Sequence, residues 1–239
     1  PANPTGTVWR KEELDAVADL VRQRKAAGQE IIIVADEAYD FLTYGVPFVS
    51  MMSWFPELKE NLVVCHTFSK RLAMTGWRIG YAVADEGIMQ HLLKPHDAAE
   101  ICAPVHSQVA VLHALEQPEK TGRFVRYARG QLRKRGHLMY ERLSQLPDVF
   151  RSSKPEGAYY AFPRVLPELP AVDSYDFAKA LLYGARVSAV PGDAFGSGGE
   201  SHLRFMFGAP ERSINEAFDR IDRWASSKEF ASYANSLRK

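Results

Sequence analysis

Apolar residues change their spacing several times along this chain, and each change predicts an element. Leu14, Val17, Ala18 and Val21 recur at helical intervals, with Glu12 and Glu13 at the acidic start and Gly28 placed to end the helix. The run Ile31–Ala35 is continuous and β-branched, the pattern of a strand buried on both faces of a parallel sheet. A short helix is predicted over residues 54–60, and a second buried strand at Leu62-Val63-Val64-Cys65-His66. Residues 77–84 read as a further strand, and 104–116 as a helix carrying Val105, Val109, Leu112 and Leu115. Alternation of helix and buried strand is the mark of an α/β sheet.

The pattern then lengthens. Residues 119–146 form a predicted long amphipathic helix rich in Arg and Lys, with Phe124, Leu132, Met139 and Leu143 at helical intervals. Short strands follow at 158–162, 186–190 and 202–207. They interleave with a helix near 174–183, capped by Asp173 or Ser174, and one from Glu211 bearing Ile214, Ala217, Phe218, Ile221 and Trp224. This organisation predicts a large α/β domain over residues 1–117 and a smaller α+β domain over 118–239.

Composition narrows the function classes. Thirty basic residues against 29 acidic ones give a net charge of +1, which offers nucleic acid or an anionic membrane no electrostatic footprint. No apolar run approaches the roughly 18 residues of a membrane span. The cysteines Cys65 and Cys102 fit neither a disulfide framework nor a metal knuckle, and point to a reducing cytoplasm. His66, His91, His96, His106, His113, His137 and His202 lack ligand spacing, so no metal is expected. The chain opens on the turn-rich Pro1-Ala2-Asn3-Pro4-Thr5-Gly6, an unusual start for a domain, and a segment is expected to precede it.

Candidate chemistry lies where the two predicted buried strands end, the place where open α/β sheets bind ligands. The first runs into Asp36-Glu37-Ala38-Tyr39 and the second into Thr67-Phe68-Ser69-Lys70, with Arg78 eight residues after the lysine. Singly these residues are ordinary: an Asp after a strand commonly caps a turn, and a Lys there is commonly solvated. Ser69 and Lys70 are adjacent and need not face each other as a nucleophile and its base. Their joint occurrence carries the information.

Asn3-Pro4-Thr5-Gly6, Asp36-Glu37-Ala38-Tyr39, Ser69-Lys70, Gly76-Trp77-Arg78-Ile79-Gly80-Tyr81 and Arg204 within HLRFMF come in one order through essentially the whole chain. Together they resemble the fold-type I pyridoxal-phosphate enzymes of the aspartate aminotransferase class. The resemblance implies part of a mostly parallel-sheet large domain followed by a small α+β domain. It implies that Lys70 forms a Schiff base with pyridoxal phosphate and then moves the substrate α-proton. It assigns Asp36 to the ring nitrogen, and Tyr39 and Asn3 to the ring oxygen. Arg78 and Ser69, with Thr67 as a weaker candidate, go to the phosphate, and Arg204 to the substrate carboxylate. Tyr159 and Tyr160 resemble a family segment in which aromatics pack more often than they touch substrate.

The implied reaction moves an amino group from an amino acid to a 2-oxo acid. A lyase or synthase on the same scaffold, such as a carbon–sulfur lyase, or a regulatory domain using the cofactor as ligand, would share these residues. The resemblance also implies a homodimer, and members that begin upstream of the Asn-Pro-Thr-Gly turn with further strands and a phosphate-binding loop. These 239 residues alone are therefore not expected to form a competent enzyme.

Overall fold

A computed structural model describes residues 1–237, and the chain divides into two units. Pro1 and Val8–Arg129 form the first; Ala2–Thr7 and Gly130–Lys239 form the second, of which residues 238 and 239 lie outside the described part.

In the first unit, α1 (Lys11–Ala26) leads to β1 (Ile33–Asp36), the single turn α2 (Met51–Trp54) and β2 (Leu62–Thr67). The single turn α3 (Phe68–Arg71), β3 (Gly80–Val83), α4 (Glu86–Ala99) and α5 (Val105–Leu115) follow. Helix α1 starts where the Glu13 carboxylate reaches back to the Arg10 N–H at 2.6 Å, and Ala18 and Val21 on its inner face are buried. They pack with Met51, Phe55, Leu58, Leu62 and Val64, while Ile31, Ile33 and Ala35 close over this core from β1. Full burial of a Leu such as Leu62 contributes about 2 kcal/mol.

The sheet order is β1-β2-β3, with β1 parallel to β2 and β3 antiparallel to it. The expectation of a strand buried on both faces does not hold for β1. Ile33 and Ala35 face the core, but Ile32 and Val34 are 46% and 66% exposed, so the second face is uncovered at β1 although Val63 beside Val34 is buried. The predicted strand at 77–84 is shorter than expected. Thr75–Trp77 coil into a 3-10 turn, and Arg78 adopts a left-handed backbone (φ 51°) that ends any extended run before Gly80. The predicted helix at 54–60 is instead α2 followed by a 3-10 turn at Pro56–Asn61.

The long helix α6 (Pro118–Ser144) begins beside the predicted domain boundary, and its residues to Arg129 belong to the first unit. From Gly130 onward it lies in the second unit, where Gly136, Met139 and Leu143 are buried. The rest of that unit comprises β4 (Phe150–Arg151), β5 (Tyr160–Ala161), β6 (Arg164–Val165), α7 (Ser174–Ala185), β7 (Val190–Pro191), β8 (Leu203–Met206), α8 (Glu211–Ala225) and α9 (Lys228–Ser236). Strands β5, β8 and β7 form an antiparallel sheet in that order, and β4 pairs with β6. Asp173 caps α7 by accepting from the Asp176 N–H. Phe177, Leu181, Leu203, Phe207, Phe218 and Ile221 are almost wholly buried and form the centre of this unit.

Candidate functional site

Strand topology gathers one set of predicted residues at a single edge of the first unit's sheet. Asp36 ends β1, opposite Cys65 in register. Thr67 ends β2, and Ser69 and Lys70 lie on α3 directly after it. Because β3 runs antiparallel and Gly80 pairs with Thr67, Arg78 enters at the same edge. Strand alternation puts Asp36, with Ile32 and Val34, on the open face of the sheet, and Asp36 is itself exposed.

The local bonds explain why these segments hold still. The Asp36 carboxylate accepts from the Ala38 N–H at 3.1 Å and fixes the turn after β1. Tyr39 is buried within that turn. The Thr67 hydroxyl accepts from the Ser69 N–H at 3.1 Å and donates to the Ile79 carbonyl at 3.4 Å, so it caps α3 and tethers β3 at once. Ser69 is buried and Lys70 half-buried. The Thr75 hydroxyl donates to the Ser69 carbonyl, while Arg78 donates to the Thr75 carbonyl at 3.1 Å. Thr75 therefore joins the lysine segment to the arginine segment, a role with no signal in the sequence beyond its position between them.

Opposite faces of the sheet carry different chemistry. Glu37 follows Asp36 but points to the covered face, where it is 6% exposed. Its Oε1 accepts from the Ser50 hydroxyl and the Met51 N–H. Its Oε2 has no hydrogen-bond partner and faces His66 Nε2 at 3.5 Å. On the open side, burial raises the Cys65 thiol pKa, with Asp36 adding to the rise.

The second unit brings the other two predicted residues together. Arg204, on β8, donates from Nη1 to Asn3 Oδ1 at 2.7 Å. Its guanidinium carbon lies 4.6 Å from the Tyr160 ring centre and 4.8 Å from that of Phe195, while its buried Nε has no hydrogen-bond partner. The turn carrying Asn3 is fixed by Gly6, whose carbonyl accepts from the Glu156 and Gly157 N–H groups. Gly6 has φ 70°, and a Cβ there would meet the Tyr160 carbonyl at 2.5 Å, so only glycine fits. Tyr160 packs under Arg204, whereas Phe195 was not singled out in the sequence because aromatic stacking on a distant arginine leaves no local pattern.

No helix is long and apolar enough to cross a membrane among the described residues. The family model described as aminotransferase class I and II matches residues 1–221. YugH of Bacillus subtilis, a putative aminotransferase, is 36% identical over 224 residues, which cover 94% of this chain and 55% of that protein. A probable N-acetyl-LL-diaminopimelate aminotransferase of the same organism is 34% identical, covering 95% of this chain and 54% of its own length. The solved aromatic aminotransferase of Pyrococcus horikoshii matches with a TM-score of 0.86 and 31% identity, covering 94% of this chain and 58% of that one. Aspartate aminotransferase of Thermus thermophilus with maleate gives 0.82 and 32%, over 94% and 55%. The chain thus spans about half the length of the curated relatives it matches.

Proposed function

The chain belongs to the aminotransferase class I and II family, and on that premise we propose that the whole protein transfers an amino group from an amino acid to a 2-oxo acid, with pyridoxal phosphate held on Lys70. Members of this family use that cofactor. One arrangement carries the reading: Asp36 ends β1, Lys70 follows β2 and Arg78 precedes β3, all at one edge of one sheet. This donor set fits the cofactor, since an acid suits a ring nitrogen, an amine a carbonyl and a guanidinium a phosphate. When bound, pyridoxal phosphate supplies the electron sink for the substrate α-carbon.

The residues divide the remaining work. Lys70 would hold the cofactor through its amine and, once displaced by substrate, carry the proton removed from the α-carbon. Asp36 would keep a proton on the ring nitrogen. Tyr39 and Asn3 would donate to the ring oxygen, and Arg78 and Ser69 to the phosphate. The Thr67 hydroxyl, already engaged as donor and acceptor, is the weaker of the phosphate candidates. Arg204 would bind the substrate α-carboxylate through paired N–H groups, a geometry lysine cannot supply. We also propose a cytoplasmic homodimer.

Absorbance of the longest native chain with added pyridoxal phosphate tests this directly. A visible band that borohydride fixes on Lys70, absent from Lys70→Ala, is the expected outcome; no Lys70-dependent band would sink the reading. Release of one oxo acid per bound cofactor from an added amino acid, reversed by a 2-oxo acid, would separate transfer from lyase chemistry.

A further inference from the structure

Behind the predicted cofactor edge, on the covered face of the sheet, lies a cluster of polar side chains that no role above absorbs. His66 Nε2 is 3.5 Å from the buried Glu37 Oε2, and His66 Nδ1 is 3.7 Å from Asp40 Oδ2. Asp40 also accepts from Arg71 at 2.5 Å, and the Arg71 guanidinium sits 5.5 Å from the Phe41 ring centre. Tyr81 stacks on the imidazole at 4.9 Å from the neighbouring strand. A buried carboxylate oxygen without a hydrogen bond is costly, and the polar imidazole edge that faces Glu37 Oε2 offsets part of that cost. His66 turns one ring nitrogen toward Glu37, just past the end of β1, and the other toward Asp40, which Arg71 also holds.

The positions of these residues give the group its consequence. Glu37 adjoins Asp36, His66 adjoins Thr67, and Arg71 adjoins Lys70. We propose that His66 is a positioning residue: by bridging Glu37 and Asp40 it ties the ends of β1 and β2 to the turn that bears Lys70, and so sets where Asp36 and Lys70 stand relative to each other. This rests on the functional reading above, because it concerns the site's geometry and not its chemistry.

The test measures pyridoxal phosphate affinity by the Lys70-dependent absorbance band, with melting temperature alongside, in the longest native chain. His66→Leu removes the polar group facing Glu37 Oε2 and should weaken cofactor binding roughly tenfold, the scale on which supporting residues act. Adding Glu37→Gln removes the stranded charge and should bring affinity back to within about threefold of wild type. Simple loss of packing would not be relieved by that second change. If His66→Leu fails to melt cooperatively, Asp40→Asn decides: it cuts the tie to Arg71 at a partly exposed position and should lower affinity with a normal melt. Wild-type affinity in a folded His66→Leu, no relief by Glu37→Gln, or an unaltered Asp40→Asn where that variant decides, each overturns the proposal and leaves the functional reading standing. A wild-type chain with no Lys70-dependent band overturns both.

Discussion

Arg204 shows how much a single side chain depends on what it faces. Two aromatic rings and the Asn3 side-chain Oδ1 hold its planar head, and a lysine at this position would keep the charge while losing the stacking and the fork. Arg204→Lys is expected to cost about 3 kcal/mol of transition-state binding, roughly a hundredfold in kcat/KM, in the whole enzyme. Steady-state kinetics with a fixed amino acid would check it, and near-wild-type kcat/KM would remove Arg204 from the carboxylate role. Tyr233 offers a pH-dependent counterpart. Burial, reinforced by Asp176 and Asp173, pushes its phenol up to about 12, and its hydroxyl is buried without a hydrogen-bond partner. A folded-state value above the ordinary 10 means that the unfolded chain ionises first. The stability linked to Tyr233 is therefore complete below pH 10 and lost as pH rises toward 12. Tyr233→Phe should flatten that alkaline limb in denaturant titrations, and stay within about 1 kcal/mol of wild type at neutral pH. Burial raises the Tyr44 phenol in the same direction, so part of the limb should remain.

Elements differ in how far their own residues determine them. Helices α7 and α8 meet where Gly184 faces Trp224, and a Cβ there would lie 2.0 Å from the indole nitrogen. Gly184→Ala should destabilise by about 3 kcal/mol. Gly130→Ala, in α6 with nothing within 4 Å of its Cβ, should stabilise by about 1 kcal/mol. Chemical denaturation of both variants would test the pair, and equal effects would contradict the packing. Helix α8 was legible because Ile214, Phe218, Ile221 and Trp224 repeat its period and all are buried. Strand β1 was legible as a strand but not in its surroundings: Ile32 and Ile33 are the same residue type, and only tertiary packing makes one exposed and the other covered. Arg78 has the same limitation, since its left-handed backbone is imposed by the turn and not marked by Gly or Asn. Helix α4 escaped notice because Pro95 lies inside it, although Asp85 supplies an N-cap. At the site, the order Asp36, Lys70, Arg78 was readable. The Glu37–His66–Asp40 group was not, because its members meet only once β1 and β2 are paired in register.

At the scale of the whole molecule, the first unit exposes a large apolar area. Ile32 and Val34 are exposed on one face of the sheet and Tyr81 and Val83 on the other, as are Leu93 on α4 and Val105, Val109, Leu112 and Leu115 on α5. Surfaces of this kind associate. Residues 1–239 prepared alone should bind a hydrophobic dye strongly and self-associate with rising concentration; a dilution-insensitive monomer that ignores the dye would contradict this. The sheet's alternation reaches further, into what the gene can tolerate. Asp36 and Glu37 are consecutive residues that serve opposite sides of β1, so their identities are tied to the parity of every position before them in the strand. Loss of one codon within β1 would carry the acid of one side to the other, turning a buried anchor outward and an exposed carboxylate inward. Substitutions along β1 can therefore be mild where a single in-frame deletion is not.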